Sequence, residues 1–270
     1  MFNLPKDALL MNLRNFALGA ITALSSISVP AYSFAACDAR SGPKTAALVE
    51  LYTSEGCSSC PPADRQLSRL RQTLDAAATV VPLALHVGYW DYIGWKDPYA
   101  QTAFGQRQSW LVQANRHRTV YTPQFFISGS ELRTGQGSLR EKVREINARP
   151  AAAAIRVHAS ITPNGALQLD AEATARARPE PVALYLVITE SGLVSKVARG
   201  ENSGVTLAHD NVVREWIGPV RLNDGVARER REIALPAGWN RARLAVVAFV
   251  QDLRTGKVLQ AVAAQQCTGS

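Results

Sequence analysis

The stretch Val49-Glu-Leu-Tyr-Thr-Ser-Glu-Gly-Cys-Ser-Ser-Cys60 decides how the first half of the chain is read. It begins with strand character, breaks into a short polar loop and delivers two cysteines separated by two residues. Pro61-Pro62-Ala63-Asp64 follows and opens a helical pattern with Leu67, Leu70, Leu74 and Ala77 on one face. Strand, Cys-x-x-Cys, then helix is the layout of a thiol–disulfide exchange site. The free N–H groups and dipole of a helix start favour a thiolate there. The expectation is that Cys57, as the more exposed sulfur, attacks and that Cys60 resolves.

Three other readings use the same pair. Structural zinc usually takes four ligands. The remaining cysteines, Cys37 and Cys267, lie near opposite ends of the chain, and the histidines show no H-x3-5-H spacing. A static structural disulfide is the second reading. The third is a Cu(I) carrier, in which soft thiolates hold the metal and His86 is the third ligand. Otherwise His86 reads as a core or rim histidine. The leading reading calls for no metal and no cofactor.

Immediately upstream, residues 46–53 form a strand that includes Glu50, seven residues before Cys57. A carboxyl buried beneath the thiols would have a raised pKa and could relay the proton of the resolving thiol. Strand alternation could equally turn it to solvent. The prolines leave the helix start open. With Pro61 first, Cys60 is the cap; with a start nearer Cys57, the prolines distort the helix.

Downstream, residues 79–87 are a nearly continuous apolar run, suited to a strand buried on both faces. The aromatic segment Gly88-Tyr-Trp-Asp-Tyr-Ile-Gly-Trp-Lys-Asp-Pro98 follows. It reads either as the rim of a cleft or as a packed loop over the core. Residues 98–114 read as a helix. A proline-led strand run follows at 120–127, then a hairpin. Ser138-Leu-Arg-Glu141 matches a capping box and opens a further helix. Either isomer is open to Thr122-Pro123 on sequence, because X–Pro bonds tolerate the cis form at low cost.

Beyond residue 150 the pattern changes to strand-length runs at 154–160, 167–173, 182–189, 193–198, 212–220, 230–235, 244–251 and 258–265. Pro163-Asn-Gly165, Asn223-Asp-Gly225 and Thr255-Gly256 supply turn signals. This spacing predicts an antiparallel sandwich at 151–270 that binds or positions partners.

The start of the chain has the form of an export signal at residues 1–35. Lys6 and Arg14 precede an apolar run, and Ser33-Phe-Ala35 supplies a small-x-small cleavage pattern. Export places the mature chain in the periplasm or outside the cell, where disulfides persist. With Cys57 and Cys60 assigned to each other, even cysteine arithmetic pairs Cys37 with Cys267. The alternative makes Cys37 a lipidated N-terminus, the only route here to a membrane. The formal charge of +8 is scattered and does not form a basic block interleaved with aromatics, so no nucleic-acid module is expected.

The order strand, Cys-x-x-Cys helix, strand, helix, Pro-led strand, strand, helix resembles the thioredoxin fold. More closely, the segments 50–64, 86–98 and Val120-Tyr-Thr-Pro-Gln124 resemble a secreted thioredoxin-like family known as domain of unknown function 1223. The likeness extends to Gly200-Glu-Asn-Ser-Gly204 and Val212-Val-Arg214. The resemblance implies an α/β thioredoxin-like domain at 36–150, followed by the all-β sandwich-like domain. It matches Cys57 and Cys60 to the dithiol, Pro123 to the cis-proline and Glu50 approximately to the buried acid. Tyr89, Trp90, Tyr92 and Trp95, with Thr122, would then bind substrate. The expected activity is thiol–disulfide exchange with protein or peptide thiols, together with a redox partner that the sequence does not identify.

Overall fold

A computed structural model describes residues 36–133, 138–176 and 181–265. The expected export signal and Cys267 lie outside the described residues. In the first half the strands are β1 (Ala36–Arg40), β2 (Ala47–Thr53), β3 (Val80–His86), β4 (Gln124–Ile127) and β5 (Ser130–Glu131). The helices are α1 (Cys60–Ser68), α2 (Leu70–Thr73), α3 (Thr102–Ala114) and α4 (Leu139–Asn147). The second half contributes β6 (Ala153–Ile161), β7 (Leu167–Ala175), β8 (Val182–Glu190), β9 (Leu193–Lys196) and β10 (Thr206–His209). It continues with β11 (Val212–Arg221), β12 (Val226–Ile233), β13 (Leu244–Asp252) and β14 (Val258–Gln265).

From β2 to α4 the main elements follow the order expected from sequence, whereas β1 was not expected. Cys60 is the first residue of α1 and Ser59 is its N-cap, which settles the helix start. Both prolines fall in the first turn, where the helix asks for no intrahelical donor. The helix is shorter than expected: it closes at Arg69, and α2 is a separate turn. The predicted capping box forms at α4. The Ser138 hydroxyl accepts from the Glu141 amide and the Glu141 carboxylate accepts from the Ser138 amide.

The expected division into domains does not hold. One eight-stranded sheet runs β14-β13-β8-β11-β3-β2-β4-β5, so four strands of the second half and four of the first lie side by side in a single sheet that continues across residue 150. The join is β11, which pairs antiparallel with β8 and parallel with β3, where Val212 stands opposite Ala84. A four-stranded sheet, β1-β6-β7-β12, contains the early strand β1, and β9 and β10 form a small ladder. Among the described residues there is no separate thioredoxin-like α/β domain, and the second half is not a sandwich closed on itself.

The cores confirm this. Tyr52, Leu85, Phe104, Leu111 and Phe126 pack with Tyr185, Val187 and Phe249 under α3, across the presumed boundary. The opposite face is divided. The four-stranded sheet covers β8 and β13 through Val157, Leu169, Leu186 and Val246. Helices α1 and α4 cover β2 and β3 through Leu67, Val143, Leu51 and Ala84. The run Val182–Glu190 is buried at every position because both faces of β8 are covered.

Candidate functional site

The disulfide loop bridges β2 and α1. Cys57 and Cys60 are bonded, with Cα atoms 5.4 Å apart. The Cys57 amide donates to the Ser54 carbonyl and the Cys60 amide to the Cys57 carbonyl, each at 3.2 Å. Since Pro61 and Pro62 have no N–H, the first turn of α1 offers few free donors to a thiolate. The Ser59 hydroxyl lies 3.3 Å from Cys57 Sγ.

Cys57 is not the exposed sulfur. Both cysteines are 0% exposed, and only Ser58 and Ser59 reach solvent. The cover is the β9–β10 connection. The buried Asn202 amide donates to the carbonyls of Glu55 (2.8 Å) and Cys57 (3.0 Å). The Glu201 carboxylate accepts from the Ser58 amide at 2.9 Å, which holds its pKa below the usual carboxylate value. Gly200 lies so close to Ile93 that an added Cβ would stand 2.9 Å from the isoleucine Cδ1, and its φ of +77° also favours glycine. Sequence reading recognised Gly200–Gly204 as a motif but not as the strap over the cysteines, because the contact spans about 145 residues.

Glu50 is buried, as one sequence alternative required, but on the wrong face. It alternates with Val49 and Leu51, which face α1, and so points to the α3 side with Tyr52. Arg107 grips it through Nε at 2.7 Å and Nη2 at 2.9 Å, and the Tyr52 hydroxyl donates at 3.0 Å. The guanidinium also stacks 4.5 Å from the Trp216 ring centroid. Both carboxylate oxygens are engaged, and Glu50 is a structural anchor.

A different acid cluster lies on the α1 face. Asp64, one turn after Cys60 on the same side of α1, is buried. Thr53 and His86 face it from neighbouring positions of β2 and β3. Asp64 Oδ1, His86 Nε2 and Thr53 Oγ1 are all buried and make no well-formed hydrogen bond among the described residues, although the Thr53 hydroxyl lies near enough to the Asp64 carboxyl to act on it. On its other side, His86 Nδ1 lies 2.8 Å from Asp97 Oδ2. The Asp97 carboxylate also accepts from the amides of Glu55 and Tyr99, each at 2.9 Å. A second pair, His209 Nε2 to Glu55 Oε1 at 3.0 Å, stands beside it, with the imidazole centroids 4.9 Å apart.

Burial pushes the Asp64 carboxyl above the usual carboxylate range, against the pull of His86 and His209. Burial lowers the His86 imidazole, but the charge and hydrogen bond of Asp97, with Asp64 and Glu55 behind, outweigh it and raise the pKa. Asp97 moves the other way. Burial would raise it, and the His86 pairing and two amide hydrogen bonds bring it below its ordinary value. Sequence reading missed Asp64, although its spacing from Cys60 in a predicted helix was the available signal.

The aromatic segment forms a 3-10 turn over Gly88–Ile93, with some rings packed and others exposed. Trp90 and Trp95 pack inward and partly bury. Trp90 Nε1 donates to the Thr122 hydroxyl at 2.7 Å, and Trp95 Nε1 to Glu55 Oε2 at 2.8 Å. Tyr92 is 81% exposed and Tyr89 42%. Tyr89 lines a groove of about 820 Å³ along α3 with Trp110 and Val120, which includes neither cysteine. Thr122-Pro123 is cis, and the β2–β4 register carries Pro123 towards the end of β2. Gly56 abuts Trp90, so the disulfide loop, Trp90, Thr122 and Pro123 form one contiguous surface.

Cys37 is buried and disulfide-bonded, while its expected partner Cys267 lies outside the described residues. Among the described residues, no group of three His, Cys, Asp or Glu side chains is placed to hold a metal, which leaves the copper reading with His86 unsupported. A disulfide is what an oxidising environment permits. Among the described residues no helix is long and apolar enough to cross a membrane.

Fold and site define a mostly β protein, built on a mixed eight-stranded sheet, with a strapped Cys-x-x-Cys disulfide at a helix start. The chain belongs to the family described as protein of unknown function (DUF1223), whose model matches residues 48–251. No curated protein matches the chain. Among solved structures it is similar to HBP35 of Porphyromonas gingivalis, with a TM-score of 0.63 and 17% identity over 83% of this chain and 76% of the other. It is also similar to protein AGR_C_4864 from Agrobacterium tumefaciens, with a TM-score of 0.55 and 22% identity over 83% of this chain and 96% of the other. At these identities the likeness is one of fold.

Proposed function

We propose that the chain is an exported thiol–disulfide oxidoreductase, working in the periplasm or outside the cell on protein or peptide thiols through Cys57 and Cys60. The observation that carries this reading is the disulfide closed across Ser58-Ser59 at the first turn of α1. That geometry keeps each sulfur within reach of the other during exchange. Burial of both sulfurs adds a condition: the Glu201–Asn202 strap must lift before a substrate sulfur reaches Cys57. Trp90, Thr122 and Pro123 supply the adjoining surface for the substrate chain, and the exposed Tyr92 extends it.

Trapping tests the reading. A Cys60→Ser variant cannot resolve, so a protein or peptide disulfide should leave a stable mixed disulfide on Cys57, identified by non-reducing peptide mapping. Absence of any adduct in the folded variant would remove the enzyme claim. The same burial favours one other reading, a purely structural cross-link. It predicts that the bond resists strong reductant until the protein unfolds.

A further inference from the structure

If exchange occurs at this pair, Cys60 must lose its thiol proton before it can attack. Glu50 is on the opposite face of the sheet with both oxygens engaged by Arg107 and Tyr52. Another acceptor is therefore needed on the α1 face. Residues four apart on a helix are neighbours, with Cβ atoms about 5–6 Å apart, and a helical side chain leans back over the turn before it. Asp64 thus stands one turn beyond Cys60 on the same buried face of α1. Its Oδ1 has no hydrogen-bond partner among the described residues, an arrangement that costs stability and needs a reason.

We propose that Asp64 is the proton acceptor for Cys60, in the field of the buried His86–Asp97 pair. This rests on the oxidoreductase reading and names the residue that makes its second step possible. When Cys57 is joined to a substrate sulfur, the Asp64 carboxylate takes the Cys60 proton. The thiolate electron pair then forms the bond to Cys57 Sγ, and the bond from Cys57 Sγ to the substrate sulfur breaks. The leaving thiolate carries that electron pair and is protonated by Asp64 or solvent. Over both steps the protein dithiol is oxidised by two electrons, and the substrate disulfide is reduced to two thiols.

Every group facing Asp64 belongs to this balance: Thr53 from β2, His86 from β3, His209 from β10 and Asp97 after the aromatic turn. His86 Nε2 is buried with no hydrogen bond among the described residues, with Nδ1 committed to Asp97. His86 accordingly acts through its charge on Asp64 and not on sulfur. Burial and the two imidazoles pull the carboxyl in opposite directions, with burial ahead, which makes it a better base than a surface aspartate.

The test loads reduced protein at Cys57 with the aromatic thiol of a disulfide reagent and times release of that thiolate as Cys60 closes. Asp64→Asn should slow release roughly 100-fold near neutral pH and make the rate rise with pH as Cys60 ionises unaided. Asp64→Glu should restore part of the rate. Wild-type closure with an unchanged rate and pH profile in Asp64→Asn overturns the proposal while leaving the oxidoreductase reading intact. Failure of wild-type protein to load or close overturns that reading itself. If Asp64→Asn does not fold, Asp64→Glu decides: the acid moved by one methylene must alter the pH profile, and an unaltered profile overturns the assignment.

Discussion

Two buried acids stand on opposite faces of the same part of the sheet, and their surroundings differ in kind. Glu50 meets a guanidinium, a phenol and a box of aromatic rings, with every carboxylate oxygen engaged. Asp64 meets His86, His209 and Thr53, and keeps a buried oxygen with no hydrogen bond among the described residues. Satisfied buried polar groups hold a fold in one arrangement, whereas under-satisfied ones are where proteins keep chemistry or strain. Neither acid's role was visible from its own residue type, and partners decided both.

The largest effect expected is on the satisfied side. Glu50→Gln leaves Arg107 buried without its counter-charge and should cost about 3–5 kcal/mol in denaturant unfolding, with exchange per folded molecule unchanged. A folded variant that lost exchange would reverse the assignment of the two acids. On the other side, Asn202→Ala removes two hydrogen bonds to the disulfide loop and should cost about 1–3 kcal/mol. It should also speed reduction by a small thiol several-fold. Unchanged reduction would mean that the strap does not gate the sulfurs.

The pH dependence of stability sharpens the contrast further. The Asp64 pKa is raised on folding, so its ionisation favours the unfolded chain. Stability should fall as pH climbs from the ordinary carboxylate range through the raised value, and Asp64→Asn should flatten that slope. The His86–Asp97 pair behaves differently. The raised His86 contributes fully below its unfolded value and is lost as pH rises through the folded one. The lowered Asp97 contributes above its unfolded value and is lost as pH falls through the folded one. His86→Gln should remove the alkaline loss, read from unfolding curves across pH. The smallest change is Glu201→Gln, which weakens an exposed hydrogen bond to Ser58 and should hasten reduction only modestly.

The strand before the cysteines, the start of α4 and most strands after residue 150 were legible because local signals define them. Alternation, capping chemistry and turn residues all act within about ten residues. Pairing partners were not legible. Nothing near Val212 announces that it stands opposite Ala84, and that single join turns two expected domains into one sheet. A signal existed in Val182–Glu190, too apolar for a sandwich strand with one wet face, and it was read only as a strand. The early strand β1 is short and polar, and β10 has only four residues, so neither left a periodic trace. The site was half legible for the same reason. The cysteines and Pro123 lie in recognisable segments, while Arg107 reaches Glu50 across 57 positions and Asn202 reaches Cys57 across 145.

The measurement that tests the central claim most directly is a redox titration of the Cys57–Cys60 pair in the folded protein against a glutathione buffer, read by mass after alkylation. The account predicts a reversible two-electron transition with the native fold retained on both sides of the midpoint. A pair that stays oxidised in strong reductant, and opens only when the protein unfolds, would contradict it and leave the disulfide as a structural cross-link.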